Sequence, residues 1–135
     1  MAVEDCAPRY LSPETLSQPG GHYSHACVAN GMVYLSGQLP IRPDGTPMRD
    51  APFQAQARQA LDNVAATLAA AGSNIARLVQ VRVYIDSVDH WPAFNAVYAE
   101  WAGAARPARA VVPTGPLHYG LKVEVEAVAL AAPNN

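Results

Sequence analysis

The sequence predicts one α+β domain, with element order β-β-α-β-α-β-β and two helices packed on one face of a mixed sheet. Two segments, Leu78–Ile85 and Leu121–Leu130, alternate apolar and other residues with the period of a strand. Two others carry apolar residues every three or four positions, the period of a helix with one buried stripe. At 135 residues, half of them hydrophobic, the chain has enough apolar surface for one core and too little length for two. No internal repeat, linker or low-complexity tract divides it.

Pro8 to Gly21 holds Pro, Ser and Gly without periodicity, so residues 1–21 read as a loop or N-terminal arm of the domain spanning 1–135. Ser24 to Ala29 reads as a strand, and Asn30-Gly31 is the pair favoured in a two-residue type I′ hairpin. Met32 to Gln38 is the return strand, and Pro40 to Gly45 a turn. Asp50 to Ala71 forms the first helix: Asp50 is expected to cap it, Pro52 suits its first turn, and Gly72 stops it. Its stripe is Ala57, Leu61, Val64, Leu68 and Ala71.

In Leu78 to Ile85, Val79, Val81, Val83 and Ile85 are expected on one face, with Gln80, Arg82 and Tyr84 on the other. The second helix is capped by Asp89 or Ser87, has Pro92 early, places Trp91, Phe94, Tyr98 and Trp101 on one face, and ends at Gly103. Arg109 to Val112 is a short strand cut off by Pro113 and Pro116. In the last strand Val123, Val125, Ala127 and Ala129 face inward, opposite Lys122, Glu124 and Glu126. Two single-stripe helices cover only one sheet face. The other mixes Arg82, Glu124 and Glu126 with Tyr84 and Val128, which points to packing against further subunits.

A net charge of −2 with nine scattered basic residues argues against nucleic acid as a partner. No apolar run is long enough to span a bilayer, and the acidic Met1–Cys6 segment does not read as a signal peptide. A cytoplasmic location is therefore expected, with Cys6 and Cys27 as free thiols in a reducing compartment. His22-x-x-His25 could bring two rings together, but strand-entry geometry throws them apart and no third ligand is near, so no metal site is expected. No Ser-His-Asp or Cys-His arrangement, P-loop or dinucleotide fingerprint is legible. Taken alone, Arg109 reads either as a carboxylate-binding fork or as a surface arginine ending a strand, and Glu124 either as a general base or as part of a solvated strand face.

Six segments occur in an order that resembles the RidA/YjgF family from about Tyr23 to Ala129: Tyr23-Ser24, Ser36-Gly37-Gln38-Leu39-Pro40, Gln56 to Asn63, Asn95-Ala96-Val97-Tyr98, Arg106-Pro107-Ala108-Arg109, and Lys122 to Ala127. Each alone is weak; six in order are specific. The resemblance implies a chorismate-mutase-like fold and a homotrimer with sites between subunits. It also implies hydrolysis of reactive 2-enamino or 2-imino acids to 2-oxo acids and ammonia, without metal or cofactor. On this reading Arg109 holds the substrate carboxylate and Glu124 orients the water; Tyr23, Ser36, Gly37 and Asn95 are candidate substrate contacts, Tyr23 reading equally as a strand-entry aromatic and Asn95 as a helix-surface amide, and His118, outside the family pattern, is a further candidate. Arg106 is read as a rim charge or subunit ion pair.

Some positions depart from the family pattern. His22-Tyr23-Ser24-His25-Ala26 stands where Pro-Tyr-Ser-Gln-Ala is usual, Ala110 replaces a serine, and His118-Tyr119 occupies a stretch that often begins Leu-Pro. These changes would border the cleft, so a bulkier or aromatic acid is an expected alternative substrate. Two rival readings follow: a pathway-specific deaminase or tautomerase of the same fold, and a non-catalytic ligand-binding or chaperone-like trimer.

Overall fold

The computed structural model describes residues 7–132. Its strands and helices run β1 (Arg9–Leu11), β2 (Ala26–Ala29), β3 (Met32–Gln38), α1 (Phe53–Ala70), β4 (Leu78–Ile85), α2 (Trp91–Ala102), β5 (Ala108–Pro113) and β6 (Val123–Leu130). They form one six-stranded sheet in the order β1-β2-β3-β6-β4-β5. All pairings are antiparallel except β4 with β5. That parallel pair is joined through α2, the usual crossover for parallel strands.

The expected α+β order holds, with one strand added. Arg9–Leu11 lies within the segment read as a loop or arm and pairs with β2. Three residues carry no measurable periodicity; the free edge of β2 recruits them. The hairpin between β2 and β3 has φ of 51° at Asn30 and 76° at Gly31, the two left-handed residues its sequence calls for.

Helix α1 buries the expected stripe of Ala57, Leu61, Val64, Leu68 and Ala71, and with it Phe53 and Ala60. Leu61 is fully buried, so Leu61→Ala is expected to cost about 2–5 kcal/mol. Asp50 does not cap this helix. Pro52 is the N-cap in extended conformation (φ −62°, ψ 157°), without a side-chain cap. Instead, buried Gln56 ties the helix start down: its amide donates to the Ala51 carbonyl and its Oε1 accepts from the Lys122 backbone N–H. Neither Asp89 nor Ser87 caps α2, whose N-cap His90 makes no side-chain cap bond; Ser87 instead caps the short turn before it by accepting the Asp89 N–H.

Helix α2 packs Phe94, Tyr98 and Trp101 into the core, whereas Trp91 stays 41% exposed. On β4, Val81, Val83 and Ile85 face the helices as expected, but Val79 does not. A register shift between Leu78 and Gln80 against β6 turns Val79 outward. Val123, Val125, Ala127 and Ala129 of β6 complete the core.

Among the described residues, no helix packs on the face of the sheet away from α1 and α2. Tyr10, Cys27, Tyr34 and Val128 lie in cross-strand register on it, and Tyr34 is 47% exposed. Further along, Glu126 stands opposite Arg82 and Glu124 opposite Tyr84. Glu126 accepts a hydrogen bond from the Tyr84 hydroxyl and lies 3.4 Å from Arg82 Nη2. Cys27 is a free thiol; Cys6 lies outside the described residues. No helix among the described residues is long and apolar enough to cross a membrane.

Candidate active site

Glu124 projects from the uncovered face of β6, between the inward-facing Val123 and Val125. Its neighbour β3 loses register between Leu35 and Gln38, so Ser36 and Gly37 bulge at this point. The bulge makes room for the carboxylate. A Cβ on residue 37 would collide with Glu124 Oε2 and sit 2.9 Å from its Cδ, so only glycine leaves this carboxylate in place.

A buried polar network fixes the bulge. The Ser36 hydroxyl donates to the Ser24 carbonyl at 2.6 Å, and the Ser36 N–H donates to the His25 carbonyl at 2.9 Å. The Gln38 amide donates to the Ser36 carbonyl and to His25 Nδ1, both at 3.1 Å. With Nδ1 accepting, His25 Nε2–H donates to the Ser17 carbonyl at 2.9 Å. Both ring nitrogens of His25 are therefore engaged in holding the N-terminal arm to the bulge. In the sequence His25 read as a ring too far from His22 to share a metal and as a departure from the family pattern at the cleft border, and Gln38 only as part of a motif. Their shared signal was two polar residues at the ends of apolar strands.

Glu124, Ser36 and Gly37 form part of the lining of a cleft of about 740 Å³, whose walls include Tyr23, His118 and Tyr119. Tyr119 adopts φ 61°, ψ 17°, a left-handed conformation uncommon for a bulky side chain. Its hydroxyl reaches the arm at Gly20, 3.5 Å from where a Cβ there would lie. Burial pushes the Glu124 carboxyl above the ordinary carboxylate range; the charge of His118 works against this, and Glu126 adds to it. A carboxylate held this way is a stronger base than one in open water.

Arg109 is not in this cleft. It stands opposite Val81 on β5 and so projects from the helix-covered face, onto α2. Its guanidinium carbon lies 4.7 Å from the centre of the Tyr98 ring and 5.7 Å from that of Trp91. Asn95 follows Trp91 by four residues and precedes Tyr98 by three, which places it on the same helix stripe. The chain thus divides the expected site residues in two. Tyr23, Ser36, Gly37, His118 and Glu124 gather at one cleft, while Arg109 projects from the other side of the sheet onto α2, the helix that carries Asn95. Arg106 is exposed and lies outside both groups. Among the described residues, no three His, Cys, Asp or Glu side chains come together as a metal site.

Fold and cleft together define a small α+β domain with a partly buried carboxylate in a cleft and an aromatic-bound arginine on the far side of the sheet. The family model described as Endoribonuclease L-PSP matches residues 15–131. Protein HMF1 of Saccharomyces cerevisiae is 33% identical over 116 residues, covering 86% of this chain and 89% of that protein. A 2-iminobutanoate/2-iminopropanoate deaminase of Dermatophagoides farinae is 32% identical over 122 residues, covering 90% of this chain and 95% of that protein. The crystal structure of E. coli TdcF with bound serine superposes with a TM-score of 0.84 at 29% identity, covering 92% of this chain and 99% of that chain. The chain belongs to the RidA/YjgF family, also called the Rid or L-PSP family.

Proposed function

We propose that the protein is a metal-independent deaminase that hydrolyses 2-imino acids, and their enamine tautomers, at sites formed between subunits of a homotrimer. The observation that carries this reading is the division of the site. Glu124 sits in a cleft without a cation fork, and Arg109 presents a cation fork without an acid; among the described residues Arg109 makes no ion pair. A second copy docked on the uncovered sheet face would bring one group to the other.

In that site the substrate carboxylate lies on the Arg109 guanidinium, whose planar donors match its two oxygens. Glu124 orients a water and accepts its proton as the oxygen adds to the imine carbon. Glu124 returns that proton to the nitrogen, and the carbinolamine expels ammonia as its hydroxyl proton passes to the departing nitrogen and the carbonyl of the 2-oxo acid forms. Imine hydrolysis is facile, so positioning and charge stabilisation suffice. A relative named for 2-imino acid deamination and a neighbour holding serine, itself an amino acid carboxylate, support the same substrate class.

The family model's description mentions an endoribonuclease. A net charge of −2 favours a small carboxylate over RNA here. So does the pairing of Arg58 with Asp62 and Glu100, and of Arg82 with Glu126.

The test generates 2-iminopropanoate and larger imino acids in situ with an amino-acid oxidase and follows imine decay and ammonia release. Acceleration over the uncatalysed decay, lost in Arg109→Ala and Glu124→Gln, is expected. Binding of 2-oxo acids with no acceleration would make the protein a ligand-binding module.

A further inference from the structure

We infer that Trp91 and Tyr98 are positioning residues that hold the Arg109 guanidinium flat and aim its donor edge at a ligand carboxylate. This rests on the reading of Arg109 as the carboxylate clamp. Arginine on an edge strand ordinarily has free torsions and costs entropy to immobilise. Here the guanidinium carbon lies 4.7 Å from one ring centre and 5.7 Å from the other. The two rings are seven residues apart on α2, about 10 Å along the axis, so the guanidinium sits between them. Aromatic faces attract the cation without using its N–H groups. That leaves the fork free, and among the described residues no carboxylate occupies it.

The two rings contribute differently. Tyr98 is anchored in the core between Phe94 and Trp101, with ring centres 5.7 and 5.9 Å away. Burial raises its phenol pKa against the opposing pull of Arg109, so the ring under the guanidinium stays neutral. Among the described residues the Tyr98 hydroxyl has no hydrogen-bond partner, so the ring, and not the oxygen, is what serves Arg109. Trp91 is 41% exposed and closes the bracket from the helix start.

The experiment measures binding of 2-oxobutanoate, a stable 2-oxo acid, by calorimetry, alongside steady-state kinetics on the corresponding imine. It compares Trp91→Phe, Trp91→Leu, Tyr98→Phe and Arg109→Ala in the assembled protein. Trp91→Leu should weaken 2-oxobutanoate binding and raise KM by about 3- to 10-fold, the range expected for a lost cation–π contact, with kcat nearly unchanged. Trp91→Phe should restore most of the loss, and Tyr98→Phe, which keeps the ring, should lose less binding than Trp91→Leu. In nuclear magnetic resonance, the Arg109 Nε–H should become more mobile in Trp91→Leu, a readout that general packing loss would not single out. If Arg109→Ala abolishes binding while Trp91→Leu binds normally with an unchanged Arg109 signal, the bracket is wrong and the clamp stands. If Arg109→Ala binds normally, the clamp itself is wrong, and this inference goes with it.

Discussion

Arg109 and Glu124 lie on opposite faces of one sheet, with β4 between their strands. Arg109 is in register with Val81, which faces the helices, and Glu124 with Tyr84, which faces away from them. Successive residues on a strand alternate faces, so no rotamer change brings the two side chains of one chain together. Any chemistry that uses both must draw them from two subunits, and the uncovered sheet face supplies a surface for that contact.

Gly37 should be irreplaceable for activity yet dispensable for folding. Alanine at 37 would place its Cβ 3.2 Å from Glu124 Cγ and nearer still to the carboxylate, which must swing away. Because the displaced atoms end a flexible side chain, the melting temperature should change by only a few degrees. Activity should fall by about 10²-fold, as expected when a reacting group is misplaced by an ångström. Stopped-flow imine decay and calorimetry on Gly37→Ala check both halves.

Glu124→Gln keeps the side chain's shape and removes the base. Its kcat should fall by about 10²-fold or more, while 2-oxo acid binding changes little. Glu126→Gln is the matched control, two residues along on the same face, and should cost much less. Glu126 already accepts from Tyr84 and pairs with Arg82, so its carboxylate is committed to the sheet. Equal, small effects at the two positions would reduce both to surface charges.

The raised pKa of Glu124 carries a stability consequence. Burial makes the folded protein hold the Glu124 proton at pH values where the unfolded chain has released it. Stability from this group is therefore greatest below the ordinary carboxylate pKa and declines as pH rises from there through the folded value. Glu124→Gln removes that penalty. The variant should melt higher than the native protein at pH 7 to 8, and the gap should close as pH falls toward about 4. Calorimetric scans across this range would show the trend; a gap that widens on acidification would contradict it.

Arg109→Lys keeps the charge and loses the planar fork together with much of the stacking on Tyr98 and Trp91. It should not rescue function, and kcat/KM should drop by about 30-fold or more. Arg106→Ala, at an exposed residue outside both groups, should cost far less. Greater sensitivity at Arg106 would mean that the clamp has been assigned to the wrong arginine.

The fold was legible wherever a period ran long enough. The α1 stripe, the inward face of β6 and the Asn30-Gly31 turn all read directly from spacing. Arg9–Leu11 did not, because three residues are shorter than any period, and Val79 did not, because a bulge shifts the alternation with no marker in sequence. Trp91 read as core because its spacing to Tyr98 is helical; the structure places it beside Arg109. Alternation along the last strand put Glu124 on the face away from the helices, but nothing in the sequence said which side of the sheet Arg109 takes. Strand register decides that, and Gly37's role as the space for Glu124 emerged only with it.

Subunit complementation tests the shared site most directly. Arg109→Ala and Glu124→Gln trimers, each inactive, are unfolded together, refolded at equal concentrations, and assayed for imine hydrolysis. In a cyclic trimer every mixed assembly has one interface that joins a native Arg109 to a native Glu124. Random mixing should therefore restore about one quarter of native activity. Recovery near that level, absent when the variants are refolded separately and then combined without exchange, is the predicted result. Co-refolded mixtures that are demonstrably mixed by mass yet no more active than their parents would contradict a site built from Arg109 of one subunit and Glu124 of the next.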